Sequence, residues 1–160
     1  MRIYAGGLGT WVVVGLMIGV AAGTASAEPI SAEAIYKVTG VQGGLIVHLG
    51  CGDGTLTAAL RPTDRYLVQG LDTDAACVTR TRELLLSKGL YGPITAARFD
   101  GRNLPYVSDT VNLLIAGDLG EVTMDEVLRV LAPGGVAYLG PANGTSSHWQ
   151  TTVNPAYTDT

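Results

Sequence analysis

Three glycines, Gly50, Gly52 and Gly54, alternate with Cys51 and Asp53 at the end of an apolar run, and three aspartates follow at wide intervals, Asp72, Asp100 and Asp118. Glycines spaced in this way admit positive φ and let a ligand approach the backbone closely. Thr55 is placed to cap a short helix, which would turn N–H groups and the positive helix end toward a ligand over the turn. Asp72 lies 22 residues after Gly50, the separation at which an acidic side chain reaches ribose hydroxyls in mononucleotide-binding βαβ units. Each signal has a bland counterpart: Asp72 and Asp74 can cap the helix that follows, and a glycine turn can simply connect a strand to a helix. Their coincidence at this spacing predicts a nucleotide-type site.

The elements that must position these residues alternate along the chain. Leu45, Ile46, Val47 and Leu49 form a nearly unbroken apolar strand, interrupted only by His48, as expected where helices cover both faces of a parallel sheet. Tyr66 to Leu71 is a second strand finishing at Asp72, Ile94 to Phe99 a third finishing at Asp100, Val111 to Ala116 a fourth finishing at Gly117-Asp118, and Val136 to Leu139 a fifth. Between them, Ser31 caps a first helix, Leu56 to Leu60 is a brief one, and Asp74 caps a third from about Ala75 to Ser87. Thr123 and Glu126 form a capping box for a fourth, with Met124, Val127, Leu128 and Leu131 on one face and Pro133-Gly134-Gly135 as the stop. This alternation predicts a doubly wound, mostly parallel, Rossmann-like α/β sheet of about five strands, in which the strand-end aspartates and the glycine turn share one crevice. Asp118 is a candidate to orient or deprotonate a substrate, from its position alone.

The ends of the chain read differently. Arg2, the apolar stretch Trp11 to Ala22 and the small residues Ala25-Ser26-Ala27 predict a signal peptide over residues 1–27, hence export to the periplasm or the outside, with no stable membrane insertion after cleavage. Residues 28–139 form the α/β domain and residues 140–160 an irregular tail rich in Gly, Pro, Asn, Ser and Thr. A sheet that stopped at the fifth strand would expose an edge and call for a covering partner. The 160 residues carry a formal net charge of −4 with no basic run, which argues against nucleic acid as a partner. Cys51 and Cys77 lack metal-ligand spacing and are expected as two buried free thiols, and His48 and His148 are too far apart to pair at a metal. No Gly-x-Ser-x-Gly or phosphate-loop lysine motif occurs, and zinc and serine hydrolysis are not indicated.

The motifs resemble those of the class I S-adenosylmethionine-dependent methyltransferases. HLGCGDG is similar to the family's first motif, LDTD at Leu71 to Asp74 to its second, FDGRNLPYVSDTVNLLIA to its third, and EVLRVLAPGGVAYL to the helix, turn and fifth strand of the branch that acts on small molecules. The resemblance implies S-adenosylmethionine as cofactor and an unidentified small-molecule methyl acceptor. It implies cofactor contacts at His48, Gly50, Cys51, Gly52 and Gly54, at Asp72 and Thr73 for the ribose, and at Asp100 and Gly101 for the adenine. More narrowly, the domain and the tail HWQTTVNPAY are similar to a methyltransferase-type module that precedes a quinoprotein-like β-propeller in some exported bacterial proteins. Three departures stand out: His48 occupies the place of the family's first carboxylate, the tail shows no sign of the family's sixth and seventh strands, and the signal peptide would carry the domain away from the cytoplasm, where this cofactor is made. A non-catalytic binding or scaffold domain is therefore the alternative function. A dinucleotide oxidoreductase fits less well, because its fingerprint needs Gly or Ala where Thr55 stands.

Overall fold

A computed structural model describes residues 30–140 and 149–155 of the chain. The segment read as a signal peptide lies outside the described residues, as does most of the tail. The elements run α1 (Ala32–Thr39), β1 (Gly44–Leu49), α2 (Thr55–Ala59), β2 (Tyr66–Asp72), α3 (Ala75–Ser87), β3 (Ile94–Arg98), β4 (Val111–Ala116), α4 (Met124–Val130), β5 (Leu131–Leu139) and β6 (Gln150–Val153).

They form one six-stranded sheet in the order β3-β2-β1-β4-β5-β6, with β1 to β5 parallel and β6 antiparallel to β5. Alternate side chains serve two cores, which explains why the central strands β1 and β4 are almost wholly apolar. Ile46, Val68, Leu113, Ile115 and Tyr138 face Ile35 of α1, Leu60 after α2 and Leu85 of α3. Val47, Leu49, Leu71, Leu114 and Ala137 face Val127 and Val130 of α4 and Leu104 of the loop between β3 and β4. Strand order reverses between β1 and β4. Leu49 pairs with both Leu71 and Ala116, so β1, β2 and β4 end level with one another at the crevice.

Helix starts follow the expected chemistry in three cases. Ser31 accepts from the Ala34 N–H, Asp74 from Ala76 and Thr123 from Glu126. At α2 the cap residue is Gly54, at φ 83°, and Thr55 is the first helical residue, its N–H bonded to Asp53 Oδ1. The capping box of α4 has only one arm, since Glu126 turns its carboxylate to Arg129 and the Leu104 N–H.

Three expectations are corrected at the C-terminal side. Leu131, the last position of the helical stripe, starts β5, because its backbone pairs with Val111. Pro133-Gly134-Gly135 does not end a helix but lies within β5, where the ladder to β4 shifts register between Val111 and Leu113. The tail is not wholly irregular: Gln150–Val153 forms β6, and Trp149 stacks on Tyr138 with centroids 4.9 Å apart. The outer edge of β5 is therefore paired within the chain, and the sheet has six strands where about five were expected. Cys51 is buried and free, as expected, but Cys77 is only half-buried.

Candidate cofactor cleft

A cleft of about 410 Å³ opens where β1, β2, β3 and β4 end. Its walls come from Leu49 and Gly50 after β1, Asp72 and Thr73 after β2, Phe99 to Gly101 after β3, and Asp118 to Glu121 after β4. Five of the residues expected to bind cofactor thus meet in one space, Gly50, Asp72, Thr73, Asp100 and Gly101, together with Asp118. Cys51, Gly52 and Gly54 lie behind the wall as the turn that shapes it, and His48 lies within β1.

The turn owes its form to its glycines. Gly50, Gly52 and Gly54 have φ of 74°, 56° and 83°. At Gly54 a Cβ would also stand 2.9 Å from the Thr81 Cα of α3, so the turn packs directly on a helix backbone. Beneath it, a Cβ on Gly70 of β2 would come 2.8 Å from Cys51 Cβ and 3.2 Å from Thr57 Cγ2, which makes Gly70 the space that seats the turn. Its spacing from the glycine motif gave no hint of this role.

Five of the six amides from Gly50 to Thr55 are already engaged. Gly50 and Cys51 donate to Leu71 O, Gly52 to Asp72 Oδ2, Gly54 to Cys51 O and Thr55 to Asp53 Oδ1. This narrows the expectation of free N–H groups facing a ligand to Asp53 and the first turn of α2, which at five residues adds little dipole. The turn allows close approach without forming an anion cradle, unlike the phosphate-binding glycine loops.

Asp72 spans the two halves of the site: Oδ2 accepts from Gly52 N at 3.2 Å and Oδ1 from Asp74 N at 2.9 Å. Each oxygen keeps a lone pair for a hydroxyl donor. Asp100 accepts from the Arg102 and Asn103 amides on Oδ1 and from Asn103 Nδ2 on Oδ2. The Asn103 bonds, side chain first, and the Arg102 amide bring its pKa down to about 2. Asp118 accepts from Gly120 N on Oδ1. Glu121 pairs with Arg102 at 2.6 Å at the exposed mouth. The carboxylates of Asp72, Asp100, Asp118 and Glu121 line the cleft, and no Lys, Arg or His does among the described residues.

His48 is 7% exposed, with Nδ1 2.8 Å from Thr57 Oγ1. Burial lowers its pKa to about 4, against the opposing pull of the Asp72 carboxylate. It is a neutral structural imidazole near pH 7 and brings no charge to the position where the resemblance expects a carboxylate. Residues not singled out by the motifs complete the site: Phe99 and Glu121 in the walls, and Thr57 and Thr81 behind them. Of these, only Phe99 had a sequence signal, as the neighbour of Asp100 at the end of a strand.

The family profile described as methyltransferase domain matches residues 46–135, more than half of the chain, and the protein belongs to that family. No curated protein matches it. Among solved structures it is similar to a protein from Methanococcus maripaludis described as a putative S-adenosyl-L-methionine-dependent methyltransferase, with 22% identity and a TM-score of 0.61 over 68% of this chain and 52% of that one. It is also similar to geranyl diphosphate C-methyltransferase from Streptomyces coelicolor, crystallised with Mg²⁺, geranyl diphosphate and S-adenosyl-L-homocysteine (19% identity, TM-score 0.59, 68% of this chain and 43% of that one). The [4+2]-cyclase SpnF shares the fold as well, with 22% identity and a TM-score of 0.60 over 68% of this chain and 42% of that one. The chain spans about half the length of these structures or less, and at such identities they establish its fold.

Proposed function

We propose that the domain binds S-adenosylmethionine in the strand-end cleft and transfers its methyl group to a small-molecule acceptor. The observation that carries this reading is the charge of the cleft: four lining carboxylates, of which only Glu121 has a cation, Arg102 at the mouth, beside a turn most of whose amides are bonded internally. Such a site suits a cationic nucleoside and disfavours the phosphates of a dinucleotide. When bound, the cofactor supplies a methyl group on a sulfonium, and the S–C electron pair returns to sulfur as the acceptor's lone pair takes the methyl. In this assignment Asp72 accepts from the ribose hydroxyls, Asp100 accepts from the adenine amino group, and Gly50 lets the sulfonium end approach β1. Asp118, on the wall opposite β2, orients the acceptor or receives its proton, leaving alignment as the main source of rate.

A second reading, binding without methyl transfer, is favoured by His48, whose neutral, Thr57-bonded ring supplies no charge to the methionine end. The cyclase that shares the fold keeps this reading open. The apolar Trp11 to Ala22 stretch and the small residues before Glu28 support export as part of the proposal. The test is calorimetric titration of the purified protein with S-adenosylmethionine and S-adenosylhomocysteine, beside Asp72→Ala. Micromolar binding lost in the variant is expected. A folded protein that binds neither ligand overturns the proposal.

A further inference from the structure

The cleft wall that carries Asp100 and Gly101 is not part of a strand or a helix. It belongs to the loop from Phe99 to Thr110, which covers the sheet between β3 and β4. The loop is held at its two ends by backbone bonds, from Phe99 N to Asp72 O and from Thr110 N to Val130 O, and in its middle by the burial of Leu104. Two residues of α4 fix the backbone around Leu104 and Tyr106. Glu126 Oε1 accepts from Leu104 N at 2.8 Å, and Arg129 donates from one terminal nitrogen to Tyr106 O at 2.9 Å and from the other to Leu104 O at 3.2 Å. The pair is locked to itself as well, with Arg129 Nε 2.7 Å from Glu126 Oε2 and its terminal nitrogen 2.6 Å from Oε1. The Glu126 side chain is 16% exposed, and the Arg129 bonds hold its pKa below the usual value.

One peptide unit and a set of hydrogen bonds join this clamp to the cleft. Leu104 follows Asn103, whose amide and side chain both bond the Asp100 carboxylate. On the other side, the Tyr106 hydroxyl donates to Gln69 Oε1 of β2 at 2.6 Å. The sheet anchors the backbone just before Asp100, since Phe99 N donates to Asp72 O at 3.1 Å, whereas the direction of the Asp100 carboxylate is set by Arg102 and Asn103, next to the clamped Leu104.

Resting on the methyltransferase reading above, we propose that Arg129 and Glu126 are positioning residues that set the base specificity of the cofactor site. They do so by fixing the Asp100 carboxylate where it accepts from an exocyclic amino group. A base that presents an oxygen acceptor at that point meets the same carboxylate as repulsion, so discrimination depends on where the loop is held.

The test compares S-adenosylhomocysteine with S-inosylhomocysteine, in which the C6 amino group is replaced by a carbonyl and N1 becomes an N–H, on the wild-type protein, Arg129→Gln, Arg129→Lys and Glu126→Gln. Arg129→Lys keeps the charge but not the forked geometry, and serves if Arg129→Gln does not fold. The wild type is expected to prefer the adenosyl ligand. Each variant should lose about tenfold in affinity for it, the scale of one charge-assisted hydrogen bond, with little change for the inosyl ligand. In the free variants the amides of Arg102, Asn103 and Leu104 should exchange faster with solvent while those of β1 do not. Variants that keep the wild-type preference overturn the clamp and leave the cofactor assignment standing. A wild-type protein that binds neither ligand overturns both.

Discussion

Replacing His48 turns the acid stability of this domain into a measurement of a single side chain. Its pKa is lowered from 6.5 to about 4 by burial, with Asp72 opposing the shift. Between those values the unfolded chain holds a proton that the native state excludes, so stability falls as the pH drops through this window and is unaffected by His48 above it. The full displacement corresponds to about 3 kcal/mol, of which about 2 kcal/mol is lost by pH ~5. Carboxylates held low by hydrogen bonds, among them Asp100 and Glu126, act at lower pH, because their contribution disappears only below ordinary carboxylate pKa values. The interval from about pH 6.5 to 5 therefore belongs to His48. Urea unfolding of wild type and His48→Gln across this interval reads the effect, with His148 retained in both. The wild type is expected to lose about 2 kcal/mol and the variant a few tenths. Equal losses in the two proteins, or a native His48 midpoint above 6 by NMR, would refute the reasoning.

Other outcomes follow from the same geometry. Gly54→Ala places a Cβ at positive φ and 2.9 Å from the Thr81 Cα, and should cost about 1–3 kcal/mol in denaturant unfolding. Asn154→Ala removes the bond from its side-chain amide to Leu131 O at 2.7 Å, and should cost about 1 kcal/mol, with faster exchange of the β6 amides. In the native protein a thiol reagent should modify half-buried Cys77 well before Cys51, which is 3% exposed and whose thiol pKa is raised by burial. Equal rates at the two sulfurs would contradict the packing of the glycine turn. The Asp100 carboxylate should titrate near pH 2 by NMR, and Asn103→Ala should move it upward, since the Asn103 bonds favour the charged form.

What was legible in the sequence was whatever local pattern decides. β1 and β4 are apolar because both of their faces are buried, β2 and β3 less completely so, and the aspartates of the site sit where the strands stop, so fold class and the strand-end carboxylates could be read together. β6 was not legible. Gln150, Thr151 and Val153 are exposed and Thr152 only half-buried, and the segment is a strand because β5 offers it a ladder. Leu131 fitted the helical period of α4, yet pairing with Val111 outweighed it. The engaged amides of the turn and the Arg129 clamp were hidden for the same reason: each depends on residues far apart in the chain, and Arg129 looks like any basic residue at the end of a helix. The glycine motif also does not reveal that Gly70, in another strand, makes room for it.

The central claim is that a cationic nucleoside occupies the cleft between Gly50 and Asp100. Amide chemical-shift mapping of the isotopically labelled protein during titration with S-adenosylmethionine tests it most directly. Saturable shifts at Gly50, Thr73, Asp100 and Gly101, with β6 unmoved, are the predicted result. Shifts centred on the far side of the sheet near α1, or none in a folded sample, would contradict it.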